Sequence, residues 1–588
     1  MLKRTILLIL ISFLNFIQAQ TVSYKLSMPK PQNHYFNVEM KINGVKRKET
    51  EIKMPVWAPG SYLVREFSKN LNLVKAFDDK GNPLKVEKKS KNKWIISNSK
   101  SKNIVVKYEV YAFELSVRTS FLDLSHGFVS GSGIFMYTEK SKNQKGKLTI
   151  VPYKDFKTIS TALPEIDKNI FEFSNYDQLV DCPIEIGNQK VFEFDAVGVK
   201  HTVAMYGEGN YDIDRLKVDM KKIIESTSAV VGVNPNKNYT FIIHNVVDGQ
   251  GGLEHMNSTT LSVNRWTYEG NNYINFLSLV AHEYFHLWNV KRIRPIELGP
   301  FNYDEENYTT LLWVMEGFTS YYDELLLYRA GYISSEQYIN KLSSAINYVE
   351  GTVGTRVQPV AHASFDAWIK GYRPNENSSN TTMTYYTRGA ILAAYLDALI
   401  INKSNGQKSL DNFLQELYSS FYINKNRGFS EEEFKTTLRS FIGGEVDAFF
   451  SKYIHGTEVP NYSDVFSTVG LDVTYTGSPS PSLGASFYTS DGKTIIRRIR
   501  ANSSAENSGL SVNDEIIGCN GYRVDRNSFE EMVSKAKVGD QLNVLISREE
   551  QLFEIIVTIE AYERPQYNLT LNNDTNTLVN QQKWLEQK

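Results

Sequence analysis

The segment His282-Glu283-Tyr284-Phe285-His286 constrains this chain more than any other, because its side chains act together only on a helix. Residues four apart on an α-helix share a face, so the two imidazoles can aim at one point. A divalent ion such as zinc accepts such a pair, and Glu283 is placed to take a proton from an attacking water. Downstream, Leu311 to Tyr322 reads as a second helix, with Glu316 set among Trp313, Met315 and Phe318. A carboxylate in that company is costly to bury unless a cation neutralises it. His282, His286 and Glu316 therefore form a candidate three-ligand site for one Zn²⁺ per chain, with a fourth position left open. The plainer alternative is two packed histidines and a carboxylate paired with an arginine.

The chain opens with Lys3 and Arg4, an apolar run from Ile6 to Ile17, and Ala19, the pattern of a cleaved export signal over residues 1–19. Nothing later approaches roughly 18 uninterrupted apolar residues, so no stable membrane span is expected after processing. The expected location is periplasmic or secreted. Lys plus Arg (65) balances Asp plus Glu (66), which gives no basic surface for nucleic acid. Two cysteines, Cys182 and Cys519, do not make a disulfide scaffold, and neither sits in a metal-binding spacing.

The pattern divides the 588 residues into a β-rich domain over 20–187, a mixed α and β domain over 188–460, a second β region over 461–562 and a tail over 563–588. In the first, Val38 to Ile42 alternates and Ile104 to Tyr111 does so less cleanly. Lysine-rich Lys85 to Lys93 is expected as solvated hairpin edges, and Trp57 to Tyr62 as a packing turn. In the second, helical spacing runs from Asp212 to Val231, and Tyr239 to Ile243 reads as a buried strand. Gly251 and Gly252 then offer a track along which an extended peptide could lie, and Glu254 beside it could hold an α-ammonium. A surface carboxylate after a glycine turn is the competing reading of Glu254. Packing helices are expected over Ala390–Ile400, Leu410–Phe421 and Ser430–Ile442, the last with a capping box. Beyond Tyr567 the tail, rich in Asn, Thr and Gln, is expected to be poorly ordered.

The histidine motif with Glu316-Gly317 resembles the thermolysin-like zinc peptidases. Gly251-Gly252-Leu253-Glu254-His255 resembles the exopeptidase motif of the larger zinc aminopeptidases, with Leu253 and His255 departing from its Met and Asn. Met54 to Tyr62, Asn175-Tyr176-Asp177, His286 to Arg292, Trp368-Ile369-Lys370 and Tyr385 to Gly389 are closer still to the M61 glycyl aminopeptidases. Ser503 to Ile517 with Asn520-Gly521 resembles a bacterial-type PDZ domain. Cys182 departs from the family pattern without touching the proposed chemistry.

The resemblance implies a multidomain α+β chain: an N-terminal β-rich domain, a thermolysin-like, mainly helical catalytic domain with a small sheet, and a C-terminal PDZ-like β domain. It implies a zinc aminopeptidase that favours small N-terminal residues, glycine above all. His282, His286 and Glu316 would bind zinc, Glu283 would be the general base, and Glu254 would anchor the substrate amine. Tyr386 would donate a hydrogen bond to the oxyanion, with adjacent Tyr385 as its competitor. Asp323, seven positions beyond Glu316, is a candidate partner for a ligand imidazole. Leu483-Gly484-Ala485 is a candidate loop for a peptide C-terminus at the PDZ-like domain. The alternatives are a zinc endopeptidase of the same fold and a catalytically silent, exported peptide-binding protein.

Overall fold

The computed structural model describes residues 20–98, 101–572 and 574–586. The expected export signal, residues 1–19, lies outside the described residues. No helix among them is long and apolar enough to cross a membrane. The chain divides into two compact units: one runs up to Val56 and resumes over Glu66–Asn188, and the other takes Trp57–Arg65 and everything from Gln189.

The first unit is built on a ten-stranded sheet, antiparallel except where Thr21–Ser27 runs parallel to Gly146–Val151. Alternation drives it. Phe36, Val38, Met40 and Ile42 on one strand and Ile104, Val106, Tyr108 and Val110 on its neighbour all point inward and are fully buried. The lysine-rich stretch does form a hairpin, Pro83–Ser90 with Lys93–Ser97. It is not at the sheet edge, however, because Glu49–Lys53 pairs outside it. Strand alternation reveals that a hairpin forms, not which strand arriving from elsewhere covers its outer side. A second sheet of four strands, Thr158–Thr161, Ile184–Gly187, Gly127–Val129 and Phe121–Leu122, completes the unit.

In the second unit, a five-stranded sheet has the order Lys190–Ala196, Val199–Tyr206, Asn238–Val246, Ser258–Asn264, Gly252–Glu254. The helix Ile213–Val231 crosses between two parallel strands. It starts on Asp212, whose carboxylate accepts from the backbone N–H groups of Asp214 and Arg215, and stops on left-handed Gly232. Against this sheet lies the helix Gly270–Phe285, pinned by Tyr284, whose hydroxyl takes a hydrogen bond from Asn234 and meets His201 Nε2 at 2.9 Å. Helix Gly317–Arg329 packs on its other side and carries Tyr385–Lys403 in turn; Phe285 stacks on Tyr322 with centroids 4.7 Å apart.

The second expected helix is broken. It runs as Leu312–Met315 and then Gly317–Arg329, with Glu316 at the joint. The neighbouring helix comes so close there that only glycines fit: a Cβ on Gly389 would lie 2.4 Å from the Trp313 carbonyl oxygen and 2.8 Å from the Gly317 Cα. Gly389→Ala is therefore expected to destabilise the fold by about 1–3 kcal/mol, read as a lowered urea midpoint with an unchanged slope.

The C-terminal β region has a six-stranded sheet ordered Ala485–Ser490, Lys493–Ile499, Glu515–Cys519, Gln541–Arg548, Gln551–Thr558, with Tyr522–Arg523 paired to Glu515–Cys519, around a core of Ile496, Phe529, Val544 and Ile546. The described residues of the tail form a strand and a helix, contrary to its composition. Tyr567–Leu571 pairs with Leu471–Tyr475, and the helix Leu578–Trp584 buries Trp584, whose indole donates to Tyr321. Asn580 and Gln581 donate to the carbonyls of Thr468 and Gly470, and one buried indole supplies the apolar anchor.

Candidate metal centre

The helix Gly270–Phe285 presents His282 and, at its C-cap, His286 on one face, with ring centroids 4.8 Å apart. Glu316, brought over by the break before Gly317, places its Oε2 3.4 Å from His286 Nε2 and 3.7 Å from His282 Nε2. Tetrahedral coordination with bonds near 2.0–2.1 Å separates ligand atoms by about 3.4 Å, so the spacing suits a zinc-sized ion. Both rings are held with Nε2 facing that point. His282 Nδ1 meets Asp323 Oδ2 at 2.9 Å, and His286 Nδ1 meets the Asn289 carbonyl at 2.8 Å. Such outer partners orient a ligand imidazole and fix its tautomer.

The electrostatics of the pair agree with the geometry. Burial alone would raise the Glu316 carboxyl, but the two imidazoles override it and hold it below the usual carboxylate range. Both imidazoles are raised in turn: burial opposes the shift, and the carboxylates, Asp323 among them, outweigh it. Glu316 is 2% exposed, so three donors converge in a buried place where a cation would relieve their mutual burial.

Glu283 lies beside this point. Burial pushes its carboxyl above its ordinary value, and its buried Oε2 has no hydrogen-bond partner. Gly252 stands directly over it, where a Cβ would come within 2.4 Å of the Glu283 carboxyl. Next along that strand Glu254 is 4% exposed, and its Oε1 also lacks a partner. Ligand atoms of Glu254, Glu283 and His286 lie within 4.8 Å of one another, so one connected cluster holds both motifs. Gly252 and Glu254 lie on the edge strand, and Gly251 comes just before it.

Tyr386 stacks over His282, with centroids 6.5 Å apart, and Tyr385 stacks behind Tyr386 at 4.9 Å. Burial, then the charge of Glu316, raises the Tyr386 phenol well above its ordinary value. Arg388, in the same motif, turns away into a buried ion pair with Glu350 at 2.8 Å.

Two parts of the site were not legible in the sequence. Asn289, just past His286, donates to the carbonyls of Val314 and Met315 and to Thr319, which clamps the break before Glu316. The turn read as packing also reaches the site. Trp57 and Tyr62 pack on Trp368, but Gly60 lies against Glu254, where a Cβ would be 2.4 Å from Oε1. The signal for the turn was its Trp-Ala-Pro-Gly-Ser-Tyr composition, and for Asn289 its place in the segment after His286. In the C-terminal β region, Gly484 is left-handed (φ 78°) and its carbonyl accepts from Arg500 N at 2.7 Å, at the head of the edge strand Ala485–Ser490.

Residues 23–188 match the Peptidase M61 N-terminal domain, residues 275–392 the M61 glycyl aminopeptidase, and residues 481–559 a PDZ domain. The chain is similar to a crystal structure of an aminopeptidase N family protein from Idiomarina loihiensis. That likeness has a TM-score of 0.88 and 29% identity, over 96% of this chain and 100% of that one. The M1 zinc metallopeptidase from Deinococcus radiodurans shares the fold at a TM-score of 0.50 and 12% identity, over 75% of this chain and 95% of that one. No sequence among the curated proteins matches. With an N-terminal domain, a histidine–glutamate centre and a PDZ domain all of one pattern, the chain belongs to the M61 family of metallo-aminopeptidases.

Proposed function

We propose that the protein is a zinc aminopeptidase that removes small N-terminal residues, glycine in preference, from peptides. His282, His286 and Glu316 hold one Zn²⁺. The ion would supply Lewis-acid polarisation of the scissile carbonyl and ease deprotonation of water. Glu283 takes the proton of the attacking water and passes it to the leaving amine. Tyr386, whose ring lies over His282, donates its phenol hydrogen to the developing oxyanion; Tyr385 lies behind it. Glu254 holds the α-ammonium, which sets the first peptide bond beside Glu283 and makes the enzyme an exopeptidase by position. Close packing of Gly60 against Glu254 supports a small first side chain. A peptide C-terminus docks at Leu483-Gly484-Ala485, and the export pattern around Lys3 and Arg4 supports a periplasmic or secreted protein.

The observation that carries this reading is the buried, unpartnered oxygen of Glu254 within the Glu283–His286 cluster. An endopeptidase has no use for a carboxylate there. Metal-loaded protein is expected to cleave glycine p-nitroanilide and to spare its N-acetylated form. In Glu254→Ala, kcat/KM for the free amine should fall about 10²–10³-fold, as when one partner of a buried charge pair is removed. Equal rates on the free and acetylated substrates would overturn the assignment.

A further inference from the structure

We infer that the cavity at the start of the metal-binding helix is a second binding site for substrate: it receives the neutral residues that follow the scissile bond. The inference rests on the aminopeptidase reading above. The cavity has a volume of about 530 Å³, within the range of about 300–1,000 Å³ typical of ligand sites.

Two independent elements run from the reacting centre into it. Along the helix, Asn272, Asn275 and Leu279 line the cavity at spacings of three and four, and Glu283 follows Leu279 by one more turn. Along the edge strand, Gly252 stands over Glu283, and the lining residues Gly249 and Gly251 come just before it. Gly249 is pressed so close to the strand Ser258–Asn264 that a Cβ would meet Val263 N at 2.6 Å, which keeps the floor low.

The order along the strand gives the direction. Glu254 takes the amine, Gly252 and Glu283 mark the first peptide bond, and Gly251 to Gly249 lie on the leaving-group side. Three extended residues span about 10 Å, so the cavity falls beneath the second and third residues after the bond. Its chemistry names the occupant. None of the lining residues is charged, amides come from Gln250, Asn272 and Asn275, and Trp266 offers an indole that is 61% exposed. Side-chain amides suit a peptide backbone, and a bare indole suits an aromatic or apolar side chain. None of the lining residues offers a cation to a free carboxylate. The enzyme is thereby built for oligopeptides of four or more residues and not for dipeptides.

The test compares kcat/KM for Gly-Ala-amide and Gly-Ala-Ala-Phe-amide, which share one scissile bond, with zinc-loaded full-length protein. The longer peptide should be favoured about tenfold or more, and Trp266→Ala should lower that ratio about tenfold. Using a ratio cancels any general loss of activity; if Trp266→Ala fails to fold, Asn275→Ala decides by the same ratio. A wild-type ratio near one, or a ratio that neither variant moves, overturns the subsite. Should zinc-loaded wild type cleave neither peptide, the aminopeptidase reading itself has failed. The subsite is then judged by Ala-Ala-Phe-amide binding, followed by tryptophan fluorescence: a shift that Trp266→Ala abolishes supports it, and no shift overturns it.

Discussion

Glu316→Ala protein, dialysed and assayed for metal, is expected to hold almost none, where the parent holds about one ion per chain. The Glu316 carboxylate lies within 3.4 and 3.7 Å of the two Nε2 atoms, and among the described residues no other carboxylate meets both imidazoles in that way. Loss of even an outer partner costs about 10–100-fold in affinity, so loss of a ligand should exceed a hundredfold. The variant should also lose the response to chelator. Added chelator should lower the melting temperature of the parent, whose native state binds metal that its unfolded state does not, and leave the variant unmoved. A Glu316→Ala protein with full metal content would remove this carboxylate from the coordination sphere.

Glu283→Ala separates metal binding from chemistry. Metal content should stay near one per chain, because Glu283 lies outside the His282–His286–Glu316 triangle. Turnover of glycine p-nitroanilide should fall about 10²–10⁴-fold, the usual contribution of a positioned base. Stability should hold or rise, since the substitution removes a buried carboxyl with an unpartnered oxygen. Metal-replete Glu283→Ala protein with near-normal turnover would reassign the base.

Local pattern revealed the parts of this site that are local. The spacing of His282 and His286 needs only a helix, and strand alternation from Val38 to Ile42 needs only a sheet with one buried face. Glu316 stood out because its neighbours are apolar. The break that delivers it did not, because the break depends on Gly317 meeting Gly389, some seventy residues away. Gly60 was hidden for the same reason: nothing near it in sequence hints at Glu254. The tail was misread because composition averages over residues, whereas its order rests on particular contacts: Trp584 against Tyr321, and the Asn580 and Gln581 amides on the carbonyls of Thr468 and Gly470.

The short excursion Trp57–Arg65 has a consequence for how such a chain can be divided. It leaves the sequence of the first unit yet belongs to the second, where Gly60 flanks the carboxylate that receives the incoming amine. A fragment beginning at Gln189 would carry both histidines and both glutamates of the hydrolytic machinery but lack that flank. Gene fusion or shuffling that treats the later residues as a portable cassette would separate the cut from the grip. The segment Trp57–Arg65 is thus a working component of the later unit and not a detachable accessory.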